Sequence, residues 1–287
     1  MHRLFLFVAP PKKLKELVNN MWTSPDLDVF YASGEPPTNA VPWNVFVLNE
    51  IEPSGVHSHL HRAIVQSLDH TNEAKPIAKI MSKFFPDPTI NTYPESDPIG
   101  ATVYHLGGSN NLYIHFPRWR RLVAEDPTQE WIFTYPVIRS LCLWMMDIGV
   151  VSVQTLSCLS LQDYVINIEQ PFTTLEEGVV RTLVHGKEGV EGEEFLLPPL
   201  DYLLPHIWNT MTGNEGLSVV VGSAGISERN ELAVRALANY LANIARFSPN
   251  LTHLSEWIDE YQEEHRSVSE GFITKADNPP NNGVMFG

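Results

Sequence analysis

"PVIRSLCLWMMDIGVVSVQTLSCLS", residues 136–160, is the stretch on which the fold turns. Its first half predicts a helix near Thr134–Ile148, with Val137, Ile138, Leu141, Met145 and Ile148 recurring on one side at the helical period. Pro136 suits only the first turn of such a helix, because it has no N–H to donate and its ring crowds the preceding turn. Gly149 follows where a left-handed cap is needed. The second half, Val150–Leu156, is a near-continuous apolar run, the pattern of a strand covered on both faces.

The same alternation recurs on either side. Upstream, Asn44–Glu50 reads as a strand, "PSG" as a turn, and His57–His70 as a helix with Leu60, Ile64 and Leu68 on one face. "KIMSKFF" (Lys79–Phe85) predicts a strand stopped by Pro86 and Pro88, and "ATVYHLGGSNNLYIHF" predicts a hairpin of Thr102–Leu106 and Leu112–Phe116. Downstream, "DYVINI" (Asp163–Ile168), "VVRTLV" (Val179–Val184) and "LSVVVG" (Leu217–Gly222) read as strands, the acidic "HGKEGVEGEE" (His185–Glu194) as a loop, and Leu200–Met211 as a helix. Ser227 is placed to cap a further helix, with Leu232, Ala233, Ala236, Leu237, Tyr240, Leu241 and Ile244 toward the core and Arg229, Arg235 and Asn239 outside. Strands alternating with helices imply a three-layer α/β/α sandwich with a mostly parallel sheet, joined by right-handed crossovers.

Four stretches divide the chain. Residues 1–42 form a lead-in expected to pack on the core, with a strand near Leu4–Val8, a short helix near Lys13–Asn19 and then the breaker-rich "SGEPPTNAVP". Residues 43–248 make the α/β/α core. Residues 249–270 hold an acidic helix over Thr252–Arg266, whose charge run reads as a solvated face, and residues 271–287 form a flexible tail.

A formal charge of −15 over 287 residues, with no basic run to offset it, argues against nucleic acid or an anionic membrane as partner. At 43% hydrophobic the chain has ample material for a core. Its two cysteines, Cys142 and Cys158, lie in apolar surroundings and form no CxxC, which fits a reducing cytoplasm. The apolar "LFLFVA" near the start is too short for a signal peptide or a spanning helix.

Candidate chemistry is sparse. In "HSHLH", His57 and His61 share a helical face while His59 points elsewhere; two imidazoles are an incomplete metal site, so no metal and no cofactor are expected. "GSAG" (Gly222–Gly225) lacks the spacing of a nucleophile elbow or a P-loop and reads as a strand–helix turn. "LGGSNN" reads as a hairpin turn and "RWRR" (Arg118–Arg121) as a surface loop. Ser157, Cys158 and Ser160 stand where such folds place chemistry, but His105, His115, His185 and His206 are equally eligible as a base and none is singled out. No catalytic constellation is complete, and the chain reads as a non-enzyme. The alternative is a nucleoside- or nucleotide-binding enzyme using the strand ends near Ser157 and Gly222.

Three segments together resemble the archaeal and actinobacterial proteasome-assembly-chaperone family. "WNVFVLNEIEPSGVHSHLHRAIVQSLDH" (43–70) is similar to its first strand, turn and helix, residues 136–160 to its helix–Gly-Val–strand unit, and "NELAVRALANYLANI" (230–244) to its closing helix. The likeness spans about residues 44–245, with Cys158 where a glycine is usual. It implies a three-layer fold like that of purine nucleoside phosphorylases without their catalytic equipment, assembly into homo-oligomers, and binding to the α-ring of the proteasome core particle through a C-terminal hydrophobic–Tyr–any motif. Met285-Phe286-Gly287 matches that motif with Phe in place of Tyr, after the polar, turn-rich leash Asp277–Gly283. A leash of this kind lets the end search for a pocket. Burial of one large apolar side chain there would contribute about 1.5–3 kcal/mol, and a terminal carboxylate would be captured by a lysine or backbone N–H groups.

Overall fold

Nine strands form one sheet in the computed structural model, which describes residues 21–32, 35–50, 54–70, 76–82, 100–107, 110–117, 127–161, 176–186, 197, 199–225 and 228–264. The strands are β1 (Met21–Thr23), β2 (Asp28–Tyr31), β3 (Trp43–Asn49), β4 (Ala78–Met81), β5 (Ala101–His105), β6 (Asn111–Phe116), β7 (Val150–Ser160), β8 (Val180–Val184) and β9 (Glu215–Ser223). Their order across the sheet is β1-β2-β4-β5-β6-β3-β7-β9-β8. The helices are α1 (Val56–His70), α2 (Pro127–Asp147), α3 (Pro199–Thr212), α4 (Glu231–Ile244) and α5 (residues 254–264). The expected strands at Leu4–Val8 and Asp163–Ile168 and the helix at Lys13–Asn19 lie outside the described residues.

The α/β architecture agrees with the sequence, but the sheet is mixed rather than mostly parallel, with five of its eight pairings antiparallel. Parallel pairing joins β6, β3, β7 and β9 at the centre, where helices make the crossovers. The flanks are antiparallel: β5 and β6 make the predicted hairpin, β8 folds back on β9, and β1, β2 and β4 extend the other edge. Short connections close hairpins, and only a crossover can return a strand in parallel.

Strand alternation sorts side chains onto two cores. Val45, Val47, Leu112, Ile114, Val153 and Val220 face α2 and α3, packing with Val137, Ile138, Leu141, Trp144 and Trp208. Phe46, Leu48, Tyr113, Leu156, Val219 and Val221 face α1, α4 and α5, packing with Leu60, Ile64, Leu237, Leu241 and Trp257. Each such side chain, fully withdrawn from water, contributes about 1.5–3 kcal/mol. The result is three layers.

Three expectations need correction. First, α2 starts at Pro127, so Pro136 lies inside the helix rather than in its first turn. One backbone hydrogen bond is forfeited there, and the burial of Val137, Ile138, Leu141, Cys142 and Met145 just beyond it carries the helix through. Second, Asn230, not Ser227, precedes α4, and Ser227 lies outside the described residues. Third, the buried stripe of α4 is Ala233, Val234, Leu237, Ala238 and Leu241, while Leu232 and Ile244 are more than half exposed. The helix is apolar over more than half its circumference, so periodicity alone left the stripe free to rotate. Gly149 ends α2 at φ +81°, as a cap should, and β7 begins at once.

Candidate functional site

In a parallel sheet the chain's progress reverses where successive strands go to opposite sides of the first, and ligand crevices form there beyond the strand carboxyl ends. Here β6 lies on one side of β3 and β7 on the other, which puts that point between β3 and β7. Buried polar side chains gather at this edge on both faces.

On the α2/α3 face the centre is Asp201, in the first turn of α3 and fully buried. Pro205 stands four residues on and has no N–H for the Asp201 carbonyl. Two hydroxyls from the sheet replace it: Thr155 Oγ1 donates to Asp201 O at 2.6 Å and Ser218 Oγ at 2.8 Å. His185 Nε2 lies 2.8 Å from Ser218 Oγ; with that hydroxyl proton already given to Asp201 O, the imidazole is the donor. Ser157 Oγ donates to Asp201 Oδ2 at 3.0 Å. Burial pushes the Asp201 carboxyl up to about 7; Ser157 and the neighbouring Asn49 amide oppose the rise without cancelling it. Asp201 Oδ1 and both polar atoms of the Asn49 amide are buried without a well-formed hydrogen bond. Burial also pulls His185 down to about 4, with the nearby His206 adding to the effect.

On the α1/α4 face the centre is Glu50, just past β3. His115 Nε2 sits 3.1 Å from Glu50 Oε1, and the His115 ring stacks on His61 with centroids 3.4 Å apart at 8°. His61 Nδ1 reaches the Tyr113 hydroxyl at 3.1 Å, and His57 Nδ1 reaches the Asn49 carbonyl at 2.6 Å. Burial alone would raise Glu50, but the His115 contact and the surrounding imidazoles bring it down to about 2. Burial lowers His61 to about 3, reinforced by positive charge on His115 and opposed by Glu50. Two imidazolium rings cannot stack so closely, and burial keeps His61 neutral.

Between these groups, Asn230 ties three turns together. Its Oδ1 accepts from Ala224 N, and its Nδ2 donates to Ser54 O and Gly225 O. Gly55, at φ +77°, lets α1 start directly beneath the Tyr261 ring, which also meets His59 edge-on at 5.5 Å. Burial lowers His59 to about 4. Ion pairs Arg62–Glu260 and Arg229–Asp259 tie α5 to α1 and to the turn before α4.

The structure separates most residues that the sequence marked. His57 and His61 turn to different partners, and among the described residues no group of three His, Cys, Asp or Glu side chains is arranged to hold a metal ion. Ser157 faces a carboxyl rather than an imidazole, and Cys158 Sγ lies 3.7 Å from Ser54 Oγ. Burial pushes the Cys142 thiol up to about 12 and makes it inert. His105 meets Trp43 edge-on, and His206 stacks on Tyr202. Gly222 lies in β9, and Arg118–Arg121 and Met285-Phe286-Gly287 lie outside the described residues. Asn49, Glu50, Asp201 and Asn230 went unmarked. A lone acid in the apolar "PPLDYLLPH" was the available signal for Asp201.

The class defined is a three-layer α/β/α protein, and solved structures share that fold. No protein-family model matches the chain, and no curated protein sequence does. PbaB of Pyrococcus furiosus, an archaeal proteasome activator, is similar with a TM-score of 0.55 at 15% identity, covering 86% of this chain and 100% of that one. PbaA of the same organism, an archaeal homolog of proteasome-assembly chaperone, has a TM-score of 0.52 at 11% identity, covering 88% and 95%. A Thermoplasma acidophilum protein of unknown function has a TM-score of 0.52 at 11% identity, covering 82% and 89%. The likeness is one of fold.

Proposed function

We propose that this chain is a non-enzymatic proteasome-assembly-chaperone-like protein, binding the proteasome core particle α-ring through Met285-Phe286-Gly287. The observation that carries the reading is the fold shared with PbaB over the whole of that chain. A homo-oligomer is part of the proposal, because one aromatic anchor binds weakly and several linked anchors gain through effective concentration. Tyr135, Leu143 and Met146 stand exposed along α2 at helical spacing, an apolar stripe suited to a contact between copies. The test is retention on immobilised proteasome core particles. The full chain is expected to be retained, deletion of residues 284–287 to abolish retention, and Phe286→Tyr to strengthen it. Equal retention of the deletion variant overturns the tail assignment.

A second reading has one observation in its favour. Asp201 Oδ1 and the Asn49 amide, buried without a well-formed hydrogen bond at the β3/β7 switch point, could recognise a polar small molecule such as a nucleoside. A thermal-shift screen with nucleosides, nucleotides and phosphate separates the readings, since a ligand of the native state raises its apparent stability.

A further inference from the structure

A cavity of about 340 Å³ opens at the β1/β2 edge of the sheet, far along the strand order from the switch point. Small-molecule sites run from roughly 300 to 1,000 Å³. Trp22 and Tyr31 supply its aromatic lining, Pro36 and Pro37 its aliphatic lining, and Asp147 is the one charged residue among those that line it. Its parts are held in place. Trp22 Nε1 donates to Asp147 Oδ2 at 2.7 Å, and Trp144 Nε1 donates to the Tyr31 hydroxyl at 2.8 Å. Trp43 Nε1 donates to Thr38 O at 2.8 Å, and Gly149 lets the Asn39 backbone approach so closely that a Cβ would come within 3.0 Å of it.

The electrostatics have one sign. Asp147 is the last residue of α2, where the helix carbonyls already concentrate negative potential, and the last turn holds no basic residue. Among the ion pairs of the described residues none involves Asp147. An acid is a poor choice for stabilising that helix end, so its value is better sought in what it faces. Aromatic ring faces also attract cations.

We infer that this cavity binds an organic cation: a guanidinium or primary ammonium at the Asp147 carboxylate and Trp22 ring, its short aliphatic stem lying along Pro36 and Pro37. The recognition is a charge-assisted hydrogen bond to the carboxylate together with a cation–π contact. It is independent of the proteasome reading and stands or falls without it.

The test titrates agmatine into the full chain, following the Trp22 indole N–H resonance and the heat of binding. Butylurea, a neutral mimic of similar shape, is the control, and Asp147→Asn keeps an acceptor for Trp22 while removing the charge. Agmatine is expected to move the Trp22 resonance, with affinity falling at least about tenfold for butylurea and for Asp147→Asn. An unmoved Trp22 resonance, equal binding of butylurea, or unchanged affinity in Asp147→Asn overturns the proposal. A parallel arm with a blocked arginine separates sources: preference for agmatine indicates a free small cation, and preference for blocked arginine indicates a side chain presented by a protein.

Discussion

Glu50 and Asp201 are carboxyls at the same edge of one sheet, on opposite faces, the first partly buried and the second fully, yet one is held at about 2 and the other pushed up to about 7. Burial is the leading influence on both and raises both. The difference lies in the company. Glu50 has imidazoles that can carry positive charge, whereas Asp201 has a serine hydroxyl and an amide, which stabilise a carboxylate too weakly to offset its desolvation. The α1/α4 face therefore holds an ionised carboxylate among imidazoles, and the α2/α3 face builds a carboxylic acid poised near neutrality.

Large effects of opposite sign are expected from replacing the two carboxyls. Glu50 has a folded value below its unfolded one, so its contribution is complete above about 4.5 and lost as pH falls toward about 2. Glu50→Gln should cost on the order of 3 kcal/mol in urea unfolding at pH 7, and the loss should fade in acid. Asp201 has the opposite sign. Its folded value lies above its unfolded one, so the native state binds more protons and stability declines as pH rises from about 4 to about 7. Asp201→Asn should gain on the order of 4 kcal/mol at pH 8 and nothing at pH 4, flattening the profile. Equal and parallel pH profiles for these two variants would erase the contrast between the faces.

Smaller effects sharpen it. His61 is held neutral, so acid favours the unfolded chain as pH falls from about 6.5 toward about 3. His61→Phe keeps a ring against His115 and should gain about 1–2 kcal/mol at pH 4, with little change at pH 7. Ser157→Ala should cost about 1 kcal/mol and raise the Asp201 carboxyl further, read by following its carbon resonance through a pH titration.

The fold was legible because its signals are periodic and its punctuation is chemical. Gly149 between an apolar helix and an apolar strand, and the hairpin around residues 107–110, announce themselves in a single chain. β1 and β2 did not, being three and four residues long with mixed polarity. The polar edge was the least legible part. Asp201 meets Thr155, Ser157 and Ser218 only after two crossovers bring distant segments together, and Glu50 meets His115 through a parallel neighbour 65 residues along the chain. Composition could supply histidines and serines but not their partners. The "HSHLH" cluster drew notice by its spacing, while packing assigned its three rings to three separate tasks.

Gly55 gives the seat of α5 an unexpected lock. The two ion pairs that strap α5 down have side chains about half exposed to water, so salt weakens them readily. What resists salt is the burial of Leu254, Trp257 and Ile258 in the core, together with the Tyr261 ring resting 3.0 Å from where a side chain at position 55 would begin. One added methyl, on a backbone already turned to positive φ, would both strain the turn that starts α1 and force the ring to give way.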